Sequence, residues 1–147
     1  MEYIRQARWE DLSRIAEIVI FNYRLFFYPI FRGDLFYFEE LQVVSQMPAY
    51  GKMLDQIWVY DDGVVKGIIQ VDQQEVKKLF VEPVLQGCGI GARMLTWAIK
   101  EKNVCSLWAL EKNSRAIAFY QRHGFELTAK RKLEEGTSEY LVQMERK

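Results

Sequence analysis

Hydrophobic and polar positions along the chain change period several times. Residues 3–7 (Tyr-Ile-Arg-Gln-Ala) alternate and predict a short strand; Leu12, Ile15, Ala16 and Val19 then recur at helical spacing behind Asp11, a capping residue type. Two alternating runs, 56–60 and 64–71, flank Asp61-Asp62-Gly63, a strong hairpin signal. A turn at Asp72-Gln73-Gln74 leads into Leu79, Phe80 and Val81, an apolar run that Pro83 ends by removing a donor. Helical spacing returns at Met94, Leu95, Ala98 and Ile99, with Asn103 as the C-cap. Residues 104–110 read as a buried strand, and a connecting helix should make it parallel to 79–81. Ala116, Ile117 and Tyr120 mark one face of a further helix, capped by Asn113 or Ser114 and ended by His123-Gly124. A last hairpin, 126–132 with 138–144, turns at Glu135-Gly136.

Residues 21–38 break the pattern, with nine of the chain's aromatic residues in eighteen positions. Pro29 and the Gly33-Asp34 pair are expected to divide this segment into a helix end, a turn and a second helix over 35–46, with a loop over 47–55 around Pro48 and Gly51. Most of these rings are expected in the core or an interface, since aromatics dominate both. Tyr28 and Phe31 are the candidates to face a substrate.

Between the central strand and its helix lies a loop with glycine at every second position, Gly87, Gly89 and Gly91. Glycines let the backbone approach a phosphate, and the free N–H groups of a helix start point at it, so residues 86–92 read as an anion site. A Walker A loop needs Gly-Lys-Ser/Thr, and the chain has Gly91-Ala92-Arg93. A dinucleotide fingerprint is met in spacing by Gly87, Gly89 and Ala92, with Glu111 as the ribose acid. Against it, five residues, Glu82 to Gln86, separate strand from glycine, and 36 residues after Glu111 are too few to finish half such a domain. Three antiparallel strands before the loop also disagree with a doubly wound sheet.

The run L-F-V-x-P-x-x-Q-G-x-G-I-G, from Leu79 to Gly91, closely resembles the acetyl-coenzyme A loop of the GNAT N-acetyltransferase superfamily. The order of elements around it matches over nearly the whole chain. The resemblance implies one α/β (α+β) domain over residues 1–147, its mixed, mostly antiparallel sheet of about seven strands flanked by about four helices. It implies acetyl-coenzyme A as co-substrate, without a metal, and transfer to a primary amine by direct attack in a ternary complex. Leu79 and Val81 would bind pantetheine through their backbone, with the Val81 N–H facing the developing oxyanion. Gln86, Gly87, Cys88, Gly89, Ile90, Gly91 and Ala92 would hold the phosphates, and Asn113 the pantetheine arm. Tyr120, within N-S-R-A-I-A-F-Y, matches the tyrosine that protonates the leaving thiolate.

Acetyl transfer to a lysine-type amine also needs a base, because deprotonation at pH 7 costs roughly 4 kcal/mol. Glu75, at the start of the central strand, is the candidate; a solvated carboxylate beside Lys77 or Lys132 is the plainer reading. Glu40 or Glu111 acting through water is a further possibility. A module that binds coenzyme A without turning it over, as a sensor or interaction domain, is the rival function.

Composition narrows partners rather than chemistry. Formal net charge is zero, so no global field favours nucleic acid or an anionic membrane, and Lys130-Arg131-Lys132 reads as a solvated edge. Two cysteines and one histidine lack metal spacing; Cys88 has no histidine partner motif, Cys105 reads as packing and His123 as a helix end. No apolar run approaches a membrane span and the first residues lack a leader pattern, so a cytoplasmic location is expected. The expected acceptor is a small-molecule or peptide amine, with protein N-termini, lysines, polyamines, amino acids and aminoglycosides all open. The aromatic excess would also suit a homodimer.

Overall fold

The Asp61-Asp62-Gly63 turn sets the first hairpin register. Gly63 adopts a φ of +123°, and its N–H donates to Asp61 Oδ1 at 2.9 Å. Around that hairpin the computed structural model, which describes residues 3–147, builds a seven-stranded sheet in the order β1-β2-β3-β4-β5-β7-β6. β1 (Ile4–Gln6), β2 (Ile57–Asp61), β3 (Val65–Asp72) and β4 (Glu75–Val81) form one antiparallel half. β5 (Ser106–Leu110), β6 (Glu126–Leu133) and β7 (Tyr140–Glu145) form the other. The halves join through a parallel β4–β5 contact, as the intervening helix α4 (Ile90–Lys102) requires. Asn103 ends α4 in the left-handed region.

Both faces of the sheet are covered. α1 (Leu12–Asn22) and α3 (Val43–Gly51) bury Leu12, Ile15 and Val19 against Ile57, Val59 and Ile68. On the other face, Met94, Leu95 and Ala98 of α4 meet Ile69, Val71 and Leu107, with Ile117 of α5 (Ser114–Arg122) packed beside them. Each such side chain contributes roughly 1.5–3 kcal/mol. β3 lies between the layers, which is why it is buried almost continuously instead of alternating. Gly67 on β3 lets α4 come close: a Cβ there would lie 2.8 Å from Met94 Sδ.

Four helices of nine residues or more flank the sheet. The aromatic segment departs from expectation. α1 continues into a π turn, Tyr23–Phe27, and then a single α turn, α2 (Tyr28–Phe31). Pro29 therefore does not divide the segment; it stands in the first turn of α2. The reversal falls at Arg32-Gly33, with φ of +62° and +89°.

The helix expected over 35–46 is instead a π turn, Phe36–Glu40, a break at Leu41-Gln42, and α3, so the expected loop at 47–51 is helical. Gln42 starts α3 by donating its N–H to Ser45 Oγ at 3.1 Å. The helix survives Pro48 because buried Tyr50 anchors its far end, while the carbonyl left without a donor belongs to Val44, which is 79% exposed. Asp11 likewise caps the 3₁₀ turn Trp9–Asp11 ahead of α1 rather than α1 itself, accepting the Arg8 N–H at 2.7 Å.

Candidate active site

β4 and β5 pair only at Glu75–Ser106 and Val76–Leu107. Beyond that point each strand follows its antiparallel partner, β3 or β7, and a gap opens between them. The Glu82 N–H turns toward β3, donating to Lys66 O at 2.9 Å. Strand alternation then turns the N–H groups of Leu79 and Val81 to the gap. Backbone donors facing an open slot are what an extended chain needs to dock as an added strand.

The end of the slot is held by Asn22, a buried residue on the last turn of α1. Its Nδ2 donates to Ile18 O at 2.8 Å and to Val81 O at 2.9 Å, and its Oδ1 accepts from Gln86 Nε2 at 2.9 Å. Gln86 also donates to Val81 O at 3.2 Å, and its Oε1 accepts from Arg115 Nη2. The Arg115 guanidinium lies 4.6 Å from the Phe26 ring centroid. α1, the glycine loop and α5 are thus tied at one point.

The loop itself is shaped for an anion. Gly87 and Gly89 have φ of +85° and +87°, a region that side-chain-bearing residues rarely enter. The first α4 bond runs from Arg93 N–H to Gly89 O at 3.1 Å, so the N–H groups of Ile90, Gly91 and Ala92 have no helical acceptor. Gly91 keeps the slot clear, since a Cβ there would sit 3.6 Å from both Val81 Cγ2 and Phe119 Cζ. Arg115 and Arg122 bring positive charge to the same cleft from α5.

This cleft has a volume of about 410 Å³, and α5 forms its far wall. Asn113 starts α5 by accepting the Ala116 N–H at 3.2 Å, and faces the cleft from there. Tyr120 packs on Phe119 and Phe125 and lines the cleft. Burial alone pushes its phenol well above the ordinary tyrosine value, so it stays protonated near neutral pH.

A second cavity, of about 610 Å³, adjoins the first, and Phe27 lines both. Tyr23, Phe31, Phe36 and Tyr37 supply rings, and residues 134–139 of the β6–β7 turn supply three glutamates. Burial raises both Tyr23 and Tyr37 to about 12, with the Glu134 charge adding to the effect. Phe31 lines this space. Tyr28 does not; its hydroxyl donates to Asp34 on the surface.

Of the residues singled out from the sequence, the cleft gathers Leu79, Val81, Gln86, Gly87, Gly89, Ile90, Gly91, Ala92, Asn113 and Tyr120. Cys88 is exposed and lies outside the lining, its N–H turned back to Leu85 O at 3.3 Å. Glu75 is not brought to the cleft either. It sits where β4 and β5 still pair, in an ion pair with Lys77 at 3.1 Å, and six residues of strand put it ~20 Å from Val81. Of the two other acids considered, Glu40 is exposed and lines neither cavity, and Glu111 chelates Arg131 with two bonds of 2.8 Å.

Sequence reasoning missed Asn22, Arg115, Arg122 and the cleft-facing side of His123. The signal was present in the spacing. Asn22 follows Ile15 and Val19 on the apolar face of α1, and Arg115, Phe119 and Arg122 share one face of α5.

A family model described as "Acetyltransferase (GNAT) domain" matches residues 54–127. The chain is 26% identical over 69 residues to the peptidyl-lysine N-acetyltransferase YjaB of Escherichia coli K12, covering 47% of each protein. It is 27% identical over 136 residues to the uncharacterized N-acetyltransferase MJ1207 of Methanocaldococcus jannaschii, covering 84% of this chain and 60% of that one. The matches thus span only about half the length of these relatives. In three dimensions, apo YjaB from Escherichia coli superposes with a TM-score of 0.76 at 20% identity, over 97% of this chain and 95% of that one. The PaiA N-acetyltransferase from Thermoplasma acidophilum, solved with coenzyme A, gives a TM-score of 0.69 at 17% identity, over 97% of both chains. At such identities the superpositions establish the fold.

Proposed function

The chain belongs to the GNAT acetyltransferase family, and from that premise we propose that it transfers the acetyl group of acetyl-coenzyme A to a primary amine. The observation that carries this reading is the splayed β4–β5 slot opening directly onto the glycine loop. The residues fit the coenzyme. Two left-handed glycines and three free N–H groups suit a pyrophosphate, Arg115 and Arg122 balance its charge, and the slot suits an extended pantetheine arm.

Bound there, acetyl-coenzyme A supplies a thioester whose acetyl group moves to the amine while the thiolate leaves. The Val81 N–H, fixed because Asn22 and Gln86 hold the same residue's carbonyl, donates to the thioester oxygen as negative charge grows on it. Tyr120 gives its proton to the departing sulfur; a thiol of pKa ~8.5 leaves tolerably, so this aid is modest. The amine enters through the second cavity, past Phe27. Among the described residues no carboxylate lines the coenzyme cleft, so the amine proton departs on the acceptor side, and Glu75 has no part in this route.

Thermal unfolding with acetyl-coenzyme A, coenzyme A, NAD and NADP tests the cofactor. A ligand at about 100 times its Kd should add roughly 2.7 kcal/mol. Stabilisation by the coenzyme A species alone supports the reading, and stabilisation by NAD or NADP instead sinks it. Turnover of acetyl-coenzyme A with a panel of amines then separates an enzyme from a binding module. Tyr120 on the cleft wall favours the enzyme, because a sensor has no use for a proton donor there.

A further inference from the structure

We infer that the acceptor is an alkyl diamine or polyamine, presenting one amine toward Val81 while a second ammonium is held in the ring-lined, acid-rimmed second cavity. This rests on the acetyl-transfer reading above and names the substrate class of its acceptor side.

The site is the cavity, and the glutamates decide its chemistry. Five rings, Tyr23, Phe27, Phe31, Phe36 and Tyr37, make walls that pack an alkyl chain and offer π faces to an ammonium. Glu134, Glu135 and Glu139 stand at its rim. Glu139 shares its charge with Lys112 at 3.1 Å, whereas Glu134 and Glu135 have no ion-pair partner among the described residues. Arg32 is the basic residue of the lining, and its guanidinium is turned to the Tyr28 ring, 5.6 Å from the centroid. Lys78 stands behind Tyr23 with its ammonium donated to the phenol oxygen at 2.8 Å.

The lining therefore carries three carboxylates against one guanidinium, a balance that opposes an acceptor bearing a carboxylate. The coenzyme cleft has the opposite sign, with Arg115 and Arg122 and, among the described residues, no carboxylate. A molecule with two positive ends is thus drawn to the acceptor side and kept from the phosphate side. Phe27, shared by both cavities, is where a chain running from one to the other would bend.

Steady-state rates at saturating acetyl-coenzyme A, with acceptors matched in length, test this. The set is 1,5-diaminopentane, 5-aminopentan-1-ol, pentylamine and 5-aminopentanoate, with a lysine peptide alongside. The diamine should exceed the amino alcohol in kcat/KM by about tenfold and the amino acid by more. Glu134→Gln with Glu135→Gln should cut the ratio of diamine to pentylamine kcat/KM about tenfold, mainly through KM. Equal rates for the diamine and the amino alcohol, preference for the peptide, or a ratio unmoved by the double variant would overturn the inference. Coenzyme binding, measured separately by calorimetry, keeps the two readings apart. If acetyl-coenzyme A fails to bind, the acetyl-transfer reading falls; if it binds and another amine is preferred, only the diamine inference does.

Discussion

Replacing Asn22 by alanine should damage stability and coenzyme binding together. The amide makes three bonds from a buried position: two donated, to Ile18 O and Val81 O, and one accepted from Gln86. Ile18 O lies in a helix, and Val81 O keeps its 3.2 Å bond from Gln86, so neither carbonyl is wholly stranded. At about 1 kcal/mol net per bond, the loss should total about 2–3 kcal/mol. For a domain of this size that is a fall in Tm of roughly 6–10 °C. Gln86 would keep two of its three partners, Val81 O and Arg115, and the loop start would be held less firmly. Coenzyme A affinity should fall about tenfold, equivalent to ~1.4 kcal/mol. Urea unfolding at constant m and calorimetric titration with coenzyme A measure the two effects. A double-mutant cycle with Gln86→Ala should show a coupling of ~1 kcal/mol. A loss below ~0.5 kcal/mol would refute the accounting of the bonds. A full stability loss with unchanged affinity would show that Asn22 supports the fold but not the slot.

Other substitutions separate binding from folding. Gly91→Ala sits at helical φ with only ordinary contacts around its Cβ, so it should leave stability unchanged or raise it by about 0.5–1 kcal/mol, while coenzyme A binding weakens because the methyl enters the slot; unfolding and titration on one preparation check both signs. Tyr120→Phe should lower kcat about ten- to a hundredfold with little change in the KM for acetyl-coenzyme A, and the wild-type pH–rate profile should show no loss of activity at an ordinary tyrosine pKa, because burial favours the neutral phenol. Asp11→Asn removes the carboxylate that Arg5 grips at 2.8 and 3.0 Å and should cost about 1.5–3 kcal/mol at pH 7. The Arg5 hydrogen bond holds the folded Asp11 pKa below its unfolded value, so its stabilisation is complete above ~4 and is lost as pH falls through the folded pKa; unfolding from pH 7 to pH 3 should show wild type and variant converging.

Local signals carried most of the fold. The strands and the helices α4 and α5 are short-range patterns, in which period, turn residue and cap agree, and they recur in the structure at nearly the same positions. The aromatic segment resisted because its decisive events are not local. The π turns have no sequence period of their own, and a proline reads as a breaker unless the register around it is known. Pro48 is tolerated because of Tyr50, a contact made across the layer with α1 and β2. No window of the chain contains that information.

The site divides in the same way. Its backbone elements were legible because a glycine loop followed by a helix is written in consecutive residues. Among its side chains, Gln86, Asn113 and Tyr120 were legible from the local motifs that hold them, whereas Asn22, Arg115 and Arg122 were not. Glu75 shows the limit. Sequence places it on the same strand as Val81, but a strand extends about 3.3 Å per residue, so six positions amount to ~20 Å, about twice the rise of six helical residues. What matters along β4 is where it parts from β5, and that is set by the competing registers with β3 and β7. The backbone donors that lose their partners therefore lie at the end of the strand. The start, where Glu75 faces Ser106 across a formed ladder, has none to offer.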